Sequence, residues 1–326
     1  MKYTTLGDAI IPRIAVGTWS WGTGLLGGNV IFGNHLHETD LRPVFDRALR
    51  AGMTLWDTAP VYGMGAAESV LGNLSRSHRI MISTKFWPLA LQRPHAMESS
   101  LRKSLRRLGA DHADLFWVHT PQNVRKWTEA LIPLMRKHAF RFAGVSNHSL
   151  EEIREADRIL RNAGLRLAAV QHHYSLLYRM PEETGILDWC REHNVVFFAY
   201  LVLEQGALTG RYTPEFPMPR RSRRGMAFPS VALHRLHGLL DALEDVGRAH
   251  RCDAAQAAIA WAVSKGVVPI VGITKPHHVT RDADAVHIRL TPEEIRRLEN
   301  AADSTGVCIP GFWENPLIQM KRPRSF

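Results

Sequence analysis

Eight short apolar runs punctuate the chain, at residues 14–17, 53–56, 80–83, 115–118, 140–145, 167–170, 195–199 and 267–271. Each is rich in β-branched or aromatic residues and lacks the polar alternation of a half-exposed strand. Each therefore reads as a parallel strand buried on both faces. Stretches of helical periodicity lie between and after them, at 41–51, 67–75, 96–108, 124–137, 150–163, 182–193, 254–264 and 277–285. Some boundaries are explicit. Ser149 precedes Leu150 with Glu152 three positions on, a capping box that opens a helix. Gly109 and Gly164 follow helical stretches as stops, because glycine accepts the left-handed conformation there. Eight strand–helix repeats with short links predict an α/β fold, a closed (β/α)8 TIM barrel. An open doubly wound sheet would carry a Gly-x-Gly-x-x-Gly turn after its first strand, and none follows residues 14–16 in that register.

Three segments stand outside the repeat. Residues 1–13 hold two short runs around Leu6-Gly7-Asp8, a β-hairpin expected to cap the barrel bottom. Residues 201–230 are long, Pro-rich and basic, without periodicity, which marks a functional or a disordered loop. Residues 290–326 open on Thr291-Pro292-Glu293-Glu294, an N-cap with proline in the first turn, so an extra C-terminal helix is expected. The aromatic, basic tail from Ile309 either folds over the barrel mouth or hangs free. The whole chain, 1–326, reads as one barrel domain.

Composition narrows this only a little. A 45% hydrophobic content supports a large core, and no apolar run approaches the roughly 20 residues of a membrane helix. The first residues lack an apolar block of signal-peptide length, so export and a membrane are not expected. Cys190, Cys252 and Cys308 match no metal or redox spacing and suit reduced thiols of a cytoplasmic protein. The histidine pairs His35/His37 and His172/His173 have no convergent Cys, Asp or Glu at ligand spacing, so no metal site is expected. Net charge is +10, but the basic residues are interleaved with acidic ones at helical spacing. That argues against nucleic acid and for a field favouring an anionic cofactor or substrate. The one tight cluster is Arg220, Arg221, Arg223 and Arg224. It could close over cofactor phosphates, recognise an acidic substrate or remain solvated.

In such a barrel, catalytic groups sit at the C-terminal ends of the strands. There the chain carries Asp57 with Tyr62 after the second run, Lys85 after the third and His119 after the fourth. The set is chemically coherent. A phenol with a pKa near 10 is a poor proton donor at neutral pH. A lysine beside it lowers that value by stabilising the phenolate, and an aspartate keeps the lysine charged. A histidine can donate to a carbonyl oxygen as charge develops on it.

Asp57-Thr58-Ala59-x-x-Tyr62-Gly63 followed by Lys85 and His119 resembles the catalytic tetrad of the aldo-keto reductase superfamily. The likeness extends along nearly the whole chain. Gly17-Thr18-Trp19 resembles the family's segment after the first strand. Ser146, Asn147 and Gln171 match residues that hold the nicotinamide carboxamide. Tyr200, with Leu203, Gly206, Leu208, Thr209 and Gly210 behind it, resembles the segment that stacks on the nicotinamide and cradles the pyrophosphate, and Arg211 after it is a candidate helper at a 2′-phosphate. Gly272, Thr274 and Lys275, with His278 and Asp282 in the helix after them, resemble the adenosine-phosphate segment. The resemblance implies an oxidoreductase reducing an aldehyde or ketone, or running the reverse reaction on an alcohol, with Tyr62 as general acid and base. It implies NADP(H) as the favoured cofactor, with NAD(H) as the alternative. A cofactor-binding regulatory subunit with little turnover is the rival reading.

Several positions depart from the family's pattern. Thr120 stands where many members carry Trp, and Val202 where Pro is common. His278 replaces an Arg or Gln, and Asp282 an Asn that contacts adenine. Trp19, Trp21, Trp87 and Thr120 are the expected walls of a substrate pocket, which would suit an apolar or aromatic small molecule. The chain is expected as a monomer or homo-oligomer.

Overall fold

The computed structural model describes residues 1–309. Strands β1 (Tyr3–Leu6) and β2 (Ala9–Pro12) pair antiparallel, joined at Gly7, whose φ of +57° puts it in the left-handed region. The next eight strands are β3 (Ala15–Gly17), β4 (Leu55–Asp57), β5 (Met81–Phe86), β6 (Ala113–Val118), β7 (Phe140–Ser146), β8 (Leu167–His173), β9 (Val196–Tyr200) and β10 (Val268–Gly272). They form a closed barrel in chain order, all parallel, with β10 shutting it between β9 and β3. The expected architecture is therefore the observed one. Several strands run further than their apolar cores, so that Asp57, Lys85, Ser146, Gln171 and Tyr200 belong to the ladder itself. Their positions are set by backbone hydrogen bonds rather than by loops.

Two apolar cores hold the layers together. One fills the barrel, where Leu55, Leu115, Trp117, Phe142 and Phe198 meet Leu6 and Ile11 of the hairpin, which closes the bottom. The packing there is tight. A Cβ on Gly144 would lie 2.3 Å from the Trp117 ring, so only glycine fits. The other core lies between barrel and helices. The capping box at Ser149 is formed with Glu152 and opens the helix Leu150–Asn162. Gly109 caps His95–Leu108 at φ +64°. The C-terminal helix Pro292–Ser304 starts at Thr291 as expected.

Three features differ from expectation, the first being the stretch 182–193, which is divided at Gly185 (φ +75°) into the helices Met180–Glu183 and Ile186–Glu192. The helix His237–His250 was not anticipated, although Leu239, Leu243 and Val246 give it a buried stripe. It follows directly on an aperiodic segment, and it packs against the helices Ala254–Ser264 and Pro292–Ser304. Residues 201–230, expected as a long loop, contain the 3-10 turn Glu204–Thr209 and the short helix Arg223–Ala227, whose N-cap is Ser222. Pieces this short present no periodicity to read. Among the described residues no helix is long and apolar enough to cross a membrane. The tail beyond Ile309 lies outside the described residues.

Candidate active site

At the C-terminal mouth of the barrel the Asp57 carboxylate receives three donors, two from the adjacent strand β5 and one from β8 across the barrel. They are Lys85 Nζ at 2.5 Å, Ser83 Oγ at 2.8 Å and Gln171 Nε2 at 3.2 Å. Lys85 also donates to the Thr58 carbonyl at 2.9 Å. Trp117 donates its indole N–H to Ser83 Oγ at 2.7 Å, which ties this group to the barrel interior. Tyr62 comes from the turn after β4, not from a strand. Gly63 follows it at φ +63°, and a Cβ there would meet the Thr23 carbonyl at 2.5 Å. The turn thus depends on a glycine to bring the phenol inward. Tyr62 stacks on Trp19 at 5.6 Å and meets the His119 ring edge-on at 6.2 Å, with Lys85 Nζ 5.1 Å from its own ring centre. Trp87 stands edge-on to His119 at 5.0 Å. All four expected catalytic residues are therefore brought together and buried.

Burial governs their protonation. It pushes the Tyr62 phenol well above its ordinary value, and the Asp57 charge adds to the effect. It pulls Lys85 down against the opposing pull of Asp57. It pulls His119 well below the usual range, helped by the charge on Lys85, so that ring is neutral at neutral pH. The expected lowering of the tyrosine by lysine is thus overridden in the chain alone. With Asp57 2.5 Å from Lys85, the pair acts on Tyr62 nearly as a dipole, and desolvation wins.

One cleft of about 690 Å³ runs from this group to the opposite rim of the mouth. Of the expected cofactor residues, Gly17, Trp19, Asp57, Gln171, Tyr200, Leu203, Gly206, Arg211, Gly272, Thr274, Lys275, His278 and Asp282 line it. Ser146 and Asn147 stand in line behind Gln171. Asn147 takes the Tyr200 hydroxyl at 2.6 Å and donates to the His119 carbonyl at 3.0 Å, while Ser146 Oγ is 3.5 Å from Gln171 Oε1. Thr18 is buried and donates to the Asp57 carbonyl at 3.1 Å. Gly210 ends the 3-10 turn at φ +71°. Thr120 is half-buried beside His119.

Two expectations need correction. Trp21 is not a pocket wall. It is 1% exposed, donates to the Ile273 carbonyl at 2.8 Å and packs on Trp56, because it lies two positions after Trp19 on a turn that points it into the core. Leu208 likewise packs in the core, with its turn carrying Gly206 to the cleft instead.

Residues not singled out beforehand also reach the cleft. They are Ser20, Phe32 and Asn34 of the loop after β3, and Gln205 of the segment after β9; of the basic cluster named from the sequence, Arg224 reaches the cleft, while Arg220, Arg221 and Arg223 are exposed outside it. Phe32 sits edge-on to Trp19 at 5.4 Å. No periodicity could have revealed them. Along this one cleft Ser20 Oγ, Asn34 Oδ1, Arg224 Nε, Arg281 Nε and Asp282 Oδ1 are buried without a hydrogen bond among the described residues. Buried polar atoms are normally satisfied, so this row suits a long polar ligand. Its far end is basic. Arg211 and Arg224 lie 5.4 and 5.0 Å from the Tyr212 ring, and Arg281 and Lys275 stand nearby. Burial, followed by Arg281 and its other cationic neighbours, drives His278 down to about 4. That environment suits phosphate.

A family model described as the aldo/keto reductase family matches residues 13–303. The chain belongs to that family. This aldo/keto reductase is 30% identical over 319 residues to the chloroplastic pyridoxal reductase of Arabidopsis thaliana, covering 91% of this chain and 85% of the relative. Among solved structures it is similar to a glycerol dehydrogenase from Gluconobacter oxydans, with a TM-score of 0.79, 25% identity and coverage of 92% and 94%. An aldo-keto reductase from Klebsiella pneumoniae solved in complex with NADPH gives a TM-score of 0.73 at 25% identity, with coverage of 92% and 95%.

Proposed function

We propose that this aldo/keto reductase interconverts an aldehyde or ketone and its alcohol with NADP(H), using Tyr62 as the general acid and base. The observation that carries the reading is the buried Lys85–Asp57 pair beneath Tyr62, at one end of a cleft whose other end is basic. When bound, the dinucleotide supplies the hydride. Ser146, Asn147 and Gln171 would hold its carboxamide and Tyr200 its ring. Lys275, assisted by Arg211 or Arg281, would meet the 2′-phosphate.

The chain's own part is the proton. Tyr62 gives its phenolic proton to the carbonyl oxygen, and the phenolate left behind faces the Lys85 ammonium, which Asp57 keeps charged. His119 is neutral, so it can donate a hydrogen bond to that oxygen without competing as the acid. Trp19, Phe32 and Trp87 surround the reacting position with ring faces and edges, which favours an apolar or aromatic carbonyl. In an absorbance screen of aldehydes, Tyr62→Phe should lose roughly 100-fold or more in kcat while still binding NADPH. Wild-type turnover in that variant, or a wild type that binds NADPH yet reduces no carbonyl, would refute the proposal. A lower KM for NADH than for NADPH would refute the cofactor preference.

A further inference from the structure

Outside the catalytic group, Glu204 is among the most deeply buried carboxylates of the described residues, 1% exposed on the turn after β9. A carboxylate taken out of water needs partners. Glu204 Oε1 has two, His173 Nε2 at the end of β8, at 2.7 Å, and the Ser175 hydroxyl just after that strand, while Oε2 accepts no hydrogen bond among the described residues. The turn that carries Glu204 is itself strained. Leu201, Glu204 and Gln205 have φ of +56°, +47° and +57°, all left-handed without being glycine, and Gly206 continues at +104°. Such a run persists only where the surroundings over-determine it. The Glu204 side chain supplies that constraint by pulling the turn inward onto β8.

Two cleft features hang on this point. Leu203, Gln205 and Gly206 of the same turn form cleft wall, while the side chains of Glu204, His173 and Ser175 do not line the cleft. The His173 ring also stacks on Tyr200 at 5.7 Å and 19°, and Tyr200 in turn holds Asn147. We propose that Glu204, His173 and Ser175 form a buried positioning device for the dinucleotide. It sets the turn and Tyr200 against the cofactor, so affinity depends on it while proton transfer by Tyr62 does not. The proposal rests on the reading of the cleft as a dinucleotide site.

The test titrates NADPH into the full chain without carbonyl substrate, following tryptophan fluorescence, and measures kcat at saturating NADPH and Tm alongside. Glu204→Ala should raise the Kd for NADPH about tenfold or more, with kcat at saturation within about twofold of wild type. Ser175→Ala, which removes one hydroxyl, should raise it about two- to fivefold. Pairing Glu204→Gln with His173→Gln should recover part of the lost affinity, because two amides can renew the bond. A merely structural role would lower Tm and the binding-competent fraction and leave the Kd of the remainder unchanged; that result overturns the proposal. So does a loss of kcat in step with the loss of binding. If Glu204→Ala fails to fold, an unaltered Kd in Ser175→Ala is decisive against it. A wild type that binds no NADPH would refute the dinucleotide reading itself. Wild-type binding with unaltered variants would refute only the positioning role.

Discussion

Asp282 offers a quantitative check on how burial sets charge at the rim of the cleft. The residue is 2% exposed, its Oδ1 accepts no hydrogen bond among the described residues, and Arg281 Nε stands 3.6 Å away. Burial raises its pKa from 3.8 to about 7, with Asp253 adding and Arg281 opposing. The folded chain therefore binds a proton that the unfolded chain releases, between pH 3.8 and about 7. Stability contributed by the neutral acid is complete below the unfolded value and drains away as pH rises through that window. At about 1.4 kcal/mol per unit, the ionised group costs the fold roughly 4 kcal/mol above pH 7 and only about 1.7 kcal/mol at pH 5. Asp282→Asn keeps the shape and removes the titration. Urea unfolding of the cofactor-free protein should show the variant more stable at both pH values, with the advantage growing by roughly 2–3 kcal/mol from pH 5 to pH 8. An advantage that stays constant or shrinks with rising pH would refute the reasoning, since Arg281 would then be compensating the buried carboxylate in full.

Two further outcomes follow from the same structure. Lys275→Ala should raise the KM for NADPH about tenfold, near 1.4 kcal/mol, and leave that for NADH almost unchanged if, as proposed above, the lysine meets the 2′-phosphate; equal losses for both cofactors would place Lys275 elsewhere on the dinucleotide. Gly144→Ala should destabilise the barrel by about 1–3 kcal/mol, since the added methyl collides with the Trp117 ring at 2.3 Å. A thermal melt unchanged from wild type would show that the interior layer has room that the packing denies.

Much of the fold and the catalytic group is legible along the chain. Strands buried on both faces must be apolar throughout, so residues 140–145 and 267–271 announce themselves, and a barrel brings whatever polar residue ends each run to one mouth. Asp57, Lys85 and His119 are readable for that reason, and Tyr62 through its glycine turn and its resemblance to a known motif. The pairing of His173 with Glu204 spans 31 residues and leaves no periodic trace. Trp19 and Trp21 look alike in sequence, yet one lines the cleft and the other donates to Ile273 in the core.

The protonation states lay furthest from view. The sequence by itself determined that Asp57, Tyr62, Lys85 and His119 meet, because local hydrophobic periodicity dictates strands, and strands in a barrel dictate which ends converge. Only the tertiary structure decided how those groups are charged. Desolvation at Tyr62, His119 and Asp282 is imposed by side chains distant along the chain; at Tyr62 and His119 a neighbouring charge reinforces it, and at Asp282 it outweighs the opposing charge of Arg281.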